Sequence, residues 1–348
     1  MDRTKLESIL QKAQQLKIMV IGDYFLDHYL FIDPDKKDIS RETGKPVHQV
    51  VRVESSPGAA GSVVSNLTAL GVGNVAAVGA IGRDAYGHQL KMCLQKQGVD
   101  VTGLVESPER VTPTYIKPTL EHNGCLEELN RMDIKNWTPT PAWLEEFFVS
   151  VIAGQGPSCD ALIVLDQVEE EECGVITAKV RAALKELGAK HPELVILVDS
   201  RRRIGQFTQV IIKPNELEAS MALGVNSAGQ MPVWAVETMY RMTGRPVFLT
   251  CGERGQWAYD GSRAVHVPAL PVTGPIDTVG AGDSVSAGIA VALAAGAAPQ
   301  EAAFFGNLVA SVTITKIGTT GTASPHEIFA RFDEHVHREH ASAGGAGR

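Results

Sequence analysis

Basic side chains are in deficit in this sequence: 32 Lys and Arg stand against 40 Asp and Glu, a net charge of −8. A nonspecific nucleic-acid binder needs a basic face to neutralise phosphates, so no nucleic-acid partner is expected. Also missing is any run of about 18 apolar residues, the length a membrane-crossing helix needs. The first segment, Met1–Lys17, is polar and has no apolar core of a secretory signal. A cytoplasmic protein without a membrane partner is therefore expected. Cysteines are few, namely Cys93, Cys125, Cys159, Cys173 and Cys251. Odd in number and dispersed, they give neither a disulfide framework nor zinc-ligand spacing. There is no internal repeat. The first apolar run ends in Gly22-Asp23 with no G-x-G-x-x-G after it, so the dinucleotide fingerprint of a nicotinamide-dependent oxidoreductase is absent.

What is present is a series of short apolar runs. They are Lys17–Asp23, Val75–Ala80, Ala161–Leu165, Leu194–Asp199, Gln209–Ile212 and Pro246–Thr250. Continuous apolar runs of this length read as strands buried on both faces of a parallel sheet. Helical patterns lie between several of them, for example Thr177–Leu187 and Glu216–Leu223. Strands alternating with helices predict a doubly wound, Rossmann-like α/β fold. Two segments break the rhythm, 29–53 and 112–132, which are richer in alternating β-formers, charges and prolines. They predict a small β-lid. The stretch 335–348 is polar and rich in small residues, which predicts a disordered tail after a single domain over 1–334.

The sharpest chemical signal is PIDTVGAGDSVSAGIAVALAAG, Pro275–Gly296. Gly280, Ala281, Gly282 and Asp283 precede an apolar, small-residue run, Ser284–Ala295, that should be a buried helix. The first N–H groups of a helix lack internal partners and sit at the positive end of its dipole. With glycines allowing close approach, they make an anion hole suited to a phosphoryl group. Asp283 at the cap of this helix can take the proton of an attacking alcohol. The tetrapeptide alone fits a plain N-capping aspartate equally well.

In sequence, Asp277-Thr278 followed by Gly280-Ala281-Gly282-Asp283 resembles the C-terminal signature D-T-x-G-A-G-D of the ribokinase, or PfkB, carbohydrate kinases. The resemblance implies the ribokinase fold, Asp283 as the catalytic base, Gly280–Gly282 as the anion hole, and ATP with Mg2+. Other segments fit in family order. Asp27 in GDYFLD matches a substrate-hydroxyl ligand. Pro57–Gly71 resembles the Gly-rich sugar segment, with Gly58-Ala59 and Ser62 where the family prefers Gly-Gly and Asn. Asn215 and Glu218 match N-x-x-E, linked to magnesium and phosphate. Thr250, Gly252 and Gly255 resemble the nucleotide-site T-x-G-x-x-G, and Asn307 falls where the family flanks adenine. Gly79-x-x-Gly82-x-Asp84-x-x-Gly87 reads as turn chemistry.

Within the family the chain looks closest to heptose 7-phosphate kinases, chiefly through Glu301–Ile328, with Asp199-Ser200-Arg201 and Arg131-Met132-Asp133 in support. That subgroup holds a sugar phosphate with basic residues; Lys117 and Arg131 match such positions, and Arg41 and Lys45 are further candidates. Two features depart from it. Its strand-end D-Y-x-K-G is replaced by Asp166-Gln167-Val168-Glu169-Glu170, and a second basic residue after Lys117 is replaced by Thr119. The nucleotidyltransferase half of some relatives is not expected. The resemblance further implies a homodimer paired through the lid. The alternatives are a kinase of another sugar, sugar acid or nucleoside, and an inactive ligand-binding protein on the kinase fold.

Overall fold

A computed structural model describes residues 1–122, 125–225, 233–318 and 320–345, with the backbone alone for 339–345. The N-terminal half comprises α1 (Arg3–Ala13), β1 (Lys17–Gly22), β2 (Tyr24–Ile39), β3 (Pro46–Ala59), α2 (Ala60–Ala69), β4 (Asn74–Gly82), α3 (Ala85–Lys96) and β5 (Asp100–Ser107). Then come β6 (Thr114–His122), β7 (Cys125–Glu128), β8 (Met132–Ile134), α4 (Ala142–Gln155), β9 (Ala161–Asp166), α5 (Ala178–Lys190), β10 (Val195–Ser200) and β11 (Ile211–Ile212). The remainder is α6 (Glu216–Leu223), α7 (Val233–Thr243), β12 (Val247–Thr250), β13 (Gln256–Tyr259), β14 (Ala264–Val267), α8 (Ala281–Ala294), α9 (Pro299–Thr313) and α10 (Pro325–Gly345).

Nine strands form one sheet in the order β14-β13-β12-β11-β10-β9-β1-β4-β5. It is parallel from β12 to β5, with β13 and β14 added antiparallel. The apolar runs are apolar because both faces are covered. Ile18 and Val20 of β1 join one core with α1, α2, α8 and α9, while Met19 and Ile21 join the other with α4, α5 and α7. The chain winds outward from β1 to β5 on one side and from β9 to β14 on the other. In such sheets ligands bind beyond the carboxyl ends of the strands where the winding reverses, which here is the region of β1, β9 and β10.

The excursions at 29–53 and 112–132 build a second, five-stranded sheet, β3-β2-β6-β7 with β8 on β6. Its strands start deeper than those limits. β2 begins at Tyr24, immediately after β1, and Tyr24 and Leu26 are fully buried. Arg41 and Lys45 lie exposed at the β2–β3 turn. Asp84 caps α3, accepting the N–H of Gly87 at 2.8 Å, and also accepts that of Thr112 at 2.9 Å.

Two expectations are corrected. The catalytic-motif helix starts at Ala281, not Ser284, with Gly280 as N-cap at φ 77°. The stretch from His335 is not irregular as far as Gly345: α10 continues through it. Phe329, Phe332 and Val336 pack on the α1/α9 core, with Phe304 at 6.2 Å from Phe332 and 5.6 Å from His335, so tertiary contact extends a helix that composition did not suggest. Residues 346–348 of the expected tail lie outside the described residues.

Ala59, the joint between β3 and α2, adopts φ 52° and ψ −118°. Only glycine enters that region without strain. Ala59→Gly is expected to stabilise the protein by about 1 kcal/mol, read as a thermal midpoint higher by about 2 °C. A lower midpoint would contradict the strain.

Candidate active site

A cavity of about 770 Å³ opens at the carboxyl ends of the central strands. Each wall is set by where a strand stops. β9 delivers Gln167, β10 delivers Asp199 and Arg201, β11 leads to Lys213, Asn215 and Glu218, and β12 ends in Thr250. The N-terminus of α8 closes the floor with Gly280–Asp283.

At that floor the anion hole is more selective than the motif suggests. Ala281 N–H is spent on the Thr278 carbonyl at 3.1 Å, and Ser284 N–H on Gly280 at 3.0 Å. The N–H groups of Gly282 and Asp283 have no acceptor among the described residues. A methyl at Gly280 would stand 2.6 Å from Thr320 Cγ2, and its positive φ independently favours glycine. Asp283 is therefore not the N-cap; it is the third helical residue, and no side chain caps this helix.

Electrostatics centre on Lys213, buried at 3 % exposure, whose Nζ lies 2.8 Å from Asp199 Oδ2. Asp199 also accepts from Ser286 Oγ at 3.3 Å and from Gln167 Nε2 at 3.5 Å. Burial works to discharge the Lys213 ammonium, but the carboxylates of Asp199, Glu218 and Asp283 outweigh it and hold its pKa above the usual lysine value. The Asp283 carboxyl is pushed up to about 7, first by burial and then by the charges of Asp199 and Asp27, with Lys213 and Arg201 opposing. Glu218 is likewise held well above the ordinary glutamate range, by burial first and by Asp199 next.

Asn215 and Glu218 form a reciprocal capping box on α6: Glu218 N–H donates to Asn215 Oδ1 at 2.9 Å, and Asn215 N–H to Glu218 Oε2 at 2.8 Å. One Glu218 oxygen is thus committed to the box. No three His, Cys, Asp or Glu side chains among the described residues converge as metal ligands. A magnesium ion needs only one or two carboxylates when phosphates and water complete its shell. The free oxygen of Glu218, in a site where carboxylates outnumber ammonium groups, fits that requirement; Asn215, whose amide oxygen already serves the helix, is the weaker donor.

On the acceptor side, Asp27 of β2 is buried and pairs with Lys117 of β6 at 2.9 Å. Lys117 Nζ also donates to Tyr29 Oη at 3.2 Å. A methyl at Gly58 would stand 2.7 Å from Asp27 Oδ2, so glycine is what lets β3 approach that carboxylate. The two expected phosphate ligands each meet a carboxylate: Lys117 pairs with Asp27, and Arg131 makes a two-pronged contact to Asp133 at 2.6 and 2.9 Å. Ser62 is buried in α2 and, like Ala59, does not line the cavity. Thr119, where a second base was expected, donates to the Lys117 carbonyl at 3.2 Å.

Thr250, Gly252 and Gly255, expected at the nucleotide, line the cavity. Gly252 and Gly255 have φ of 59° and 89°, which accounts for glycine at both. Asn307 also lines it, but its amide is turned inward: Nδ2 donates to the Val267 and Pro268 carbonyls, each at 3.0 Å, and Oδ1 accepts from Gln256 Nε2 at 2.7 Å. It holds the loop after β14 in place. Sequence reasoning had not assigned roles to Lys213, Asp199, Gln167 and Arg201. The signal available for two of them was a polar residue closing an apolar run, Asp199 directly and Lys213 just after Ile212.

Comparison with known proteins adds the following. The sequence pattern of the pfkB family carbohydrate kinases matches residues 15–327. The bifunctional protein HldE of Geotalea uraniireducens is 30 % identical over 342 residues, covering 97 % of this chain and 67 % of that protein. HldE of Citrifermentans bemidjiense is 29 % identical over 334 residues, covering 95 % and 66 %. The chain thus spans about two thirds of the length of these curated relatives. Arabidopsis thaliana ribokinase complexed with ribose and ATP superposes with a TM-score of 0.66 at 17 % identity, covering 91 % of this chain and 98 % of that one. Escherichia coli phosphofructokinase-2 with fructose-6-phosphate gives 0.67 at 19 %, covering 92 % and 99 %. These structures share the fold.

The raised pKa of Asp283 carries a stability consequence. An acid whose folded pKa exceeds its unfolded value stabilises the fold at low pH and loses that contribution as pH rises through the folded value. Free of ligands, the protein should lose stability between about pH 4 and pH 7 from this group. Asp283→Asn removes a partly desolvated charge, so at pH 8 the variant should be the more stable by about 1 kcal/mol, the gap closing toward pH 4. Thermal unfolding across pH tests this; a variant less stable than wild type at pH 8 would contradict the account.

Proposed function

The chain belongs to the pfkB family of carbohydrate kinases, phosphotransferases that act on a sugar hydroxyl, and we propose that its acceptor is a heptose 7-phosphate, converted with ATP to the 1,7-bisphosphate. The observation that carries the kinase chemistry is the floor of the cavity, where two open N–H groups of α8 adjoin a carboxyl tuned to about 7. Relatedness to the HldE proteins over nearly the whole chain supports the heptose acceptor.

In this reading nucleotide phosphates approach the N–H groups of Gly282 and Asp283 near Lys213, and the base lies toward Thr250, Gly252, Gly255 and the Asn307-held loop, with Thr278 at the rim. The sugar lies between Asp27, Gly58 and the second sheet. Asp283 accepts the proton of the attacking hydroxyl as that oxygen bonds to the γ-phosphorus and the bond to the bridging oxygen of ADP breaks. A base near neutrality suits this task, since it is substantially ionised at pH 7 yet still accepts a proton. The helix N–H groups and Lys213 offset charge on the transferring phosphoryl group. Mg2+, when bound with the nucleotide through Glu218 with help from Asn215, supplies charge neutralisation on the phosphates.

Asp27, in its ion pair with Lys117, supplies acceptors for sugar hydroxyls. The second sheet would cover the sugar and exclude water, which otherwise competes as acceptor. Its exposed apolar residues, among them Ile39, Val51 and Val53, support pairing with a second copy. No helix among the described residues is long and apolar enough to cross a membrane.

ADP release should be measured with ATP and Mg2+ across sugars, sugar phosphates and nucleosides. Heptose 7-phosphate should turn over with kcat/KM rising through an apparent pKa near 7, and Asp283→Asn should lose about 10²–10⁴ of the rate. Turnover of another acceptor alone, still lost in the variant, would keep the base and discard the heptose. ATP binding with no transfer to any acceptor would point to a binding protein.

A further inference from the structure

Three consecutive arginines follow β10, and they are held differently. Arg203 is buried against Asp166, with its Nη2 2.5 Å from Oδ1 and its Nε 3.0 Å from Oδ2. Arg202 pairs with Glu169 at 2.6 Å. Arg201 has no carboxylate partner among the described residues; its Nε donates to the neutral amide oxygen of Gln167 at 2.8 Å. Gln167 is itself fixed, since its N–H donates to the buried carboxylate of Asp23 at 2.8 Å. A guanidinium oriented through Nε by an amide keeps its full charge and both terminal nitrogens for a ligand.

The position of Arg201 says which ligand. It and Gln167 belong to the main cavity and also to a side recess that reaches the second sheet at Phe25, Tyr115 and Lys135. Thr250, Gly252 and Asn307 belong to the cavity alone. Two acids, Glu169 and Glu170, border the recess, and each already faces a cation: Arg202 for the first, and Lys135 at 3.4 Å for the second. Lys117 and Arg131 already face Asp27 and Asp133, as described. We propose that Arg201, oriented by Gln167 beside Tyr115, forms the anion subsite for the acceptor's own phosphate and so determines specificity for a phosphorylated acceptor. The inference rests on the sugar-phosphate reading above and gives that phosphate a place.

Phosphate oxygens reach this site from two sources, the acceptor and the transferring nucleotide, and kinetics separate them. Arg201→Gln, Arg201→Lys and, as control, Arg202→Gln should be compared with wild type on heptose 7-phosphate and on unphosphorylated heptose, with ATP varied. Arg201→Gln is expected to raise KM for the sugar phosphate about 10- to 100-fold more than KM for the neutral sugar, to leave KM for ATP within about twofold, and to change kcat for both acceptors alike, because Arg201 also opposes the raised pKa of Asp283. Arg201→Lys should recover part of the loss, and Arg202→Gln should behave as wild type. A rise in KM for ATP instead, or an equal rise in KM for both acceptors, would deny Arg201 the acceptor phosphate and overturn the proposal. An unchanged Arg201→Gln beside an active wild type would overturn this inference alone. A wild type that ignores every sugar phosphate but turns over a neutral sugar would overturn the acceptor reading and this inference together.

Discussion

Among the described residues Lys213 is the only lysine lining the cavity, buried beside Asp199 at 2.8 Å, and the electrostatics of the site follow from that pair. A buried ion pair is not a strong source of stability, because desolvating two charges offsets most of their attraction. Its value here is positional. Asp199 ends β10 and Lys213 follows β11, so their contact joins the ends of adjacent strands, and Ser286 of α8 joins them through the same carboxylate. Around this pair stand Glu218 and Asp283 with no full set of cations to match. Desolvation at the helix end, reinforced by that imbalance, lifts the Asp283 carboxyl to about 7. The imbalance also leaves the floor receptive to a cation arriving with phosphates.

The site is held at some cost in stability. Raised acids at Asp23, Asp283 and Glu218 are each disfavoured in their ionised form by burial. Asp23 sits near 6 even though three N–H groups, from Gln167, Val168 and Val175, point at it. Through those bonds it fixes the loop that carries Gln167, and through Gln167 the reach of Arg201. Ala59 adds backbone strain at the turn into α2, one residue after the glycine that touches Asp27. Such features cluster where function outweighs local stability.

The central sheet was legible because a parallel strand covered on both faces must be apolar throughout, as in β1, β4, β9, β10 and β12. The outer strands were not. β5 alternates and contains Gly103, while β13 and β14 are four residues each and carry Gln256 and His266; they pair antiparallel or at an edge, where one face need not be apolar. In the site, motif residues adjacent in sequence, Gly280–Asp283 and Asn215 with Glu218, were legible because one helix terminus assembles them. The partnerships were not. Lys117 meets Asp27 across the β2–β6 pairing, and Gln167, Asp199, Arg201 and Lys213 converge only because β9, β10 and β11 lie side by side. A charge reads as free in a sequence until the fold supplies its partner, which is why Lys117 and Arg131 looked like phosphate ligands and Arg201 did not.

The central claim is that desolvation at the cavity floor, reinforced by carboxylates crowded around one ammonium, tunes Asp283. Its most direct test is the titration of Asp283 itself, followed by NMR of the side-chain carboxyl carbons in protein labelled at aspartate and assigned by the signal missing from Asp283→Asn. The account predicts a midpoint near pH 7 in the ligand-free protein. A midpoint near that of a free aspartate, about 3.9, would contradict it: Asp283 would then be an ordinary solvated acid, and the proton of the acceptor hydroxyl would need another destination.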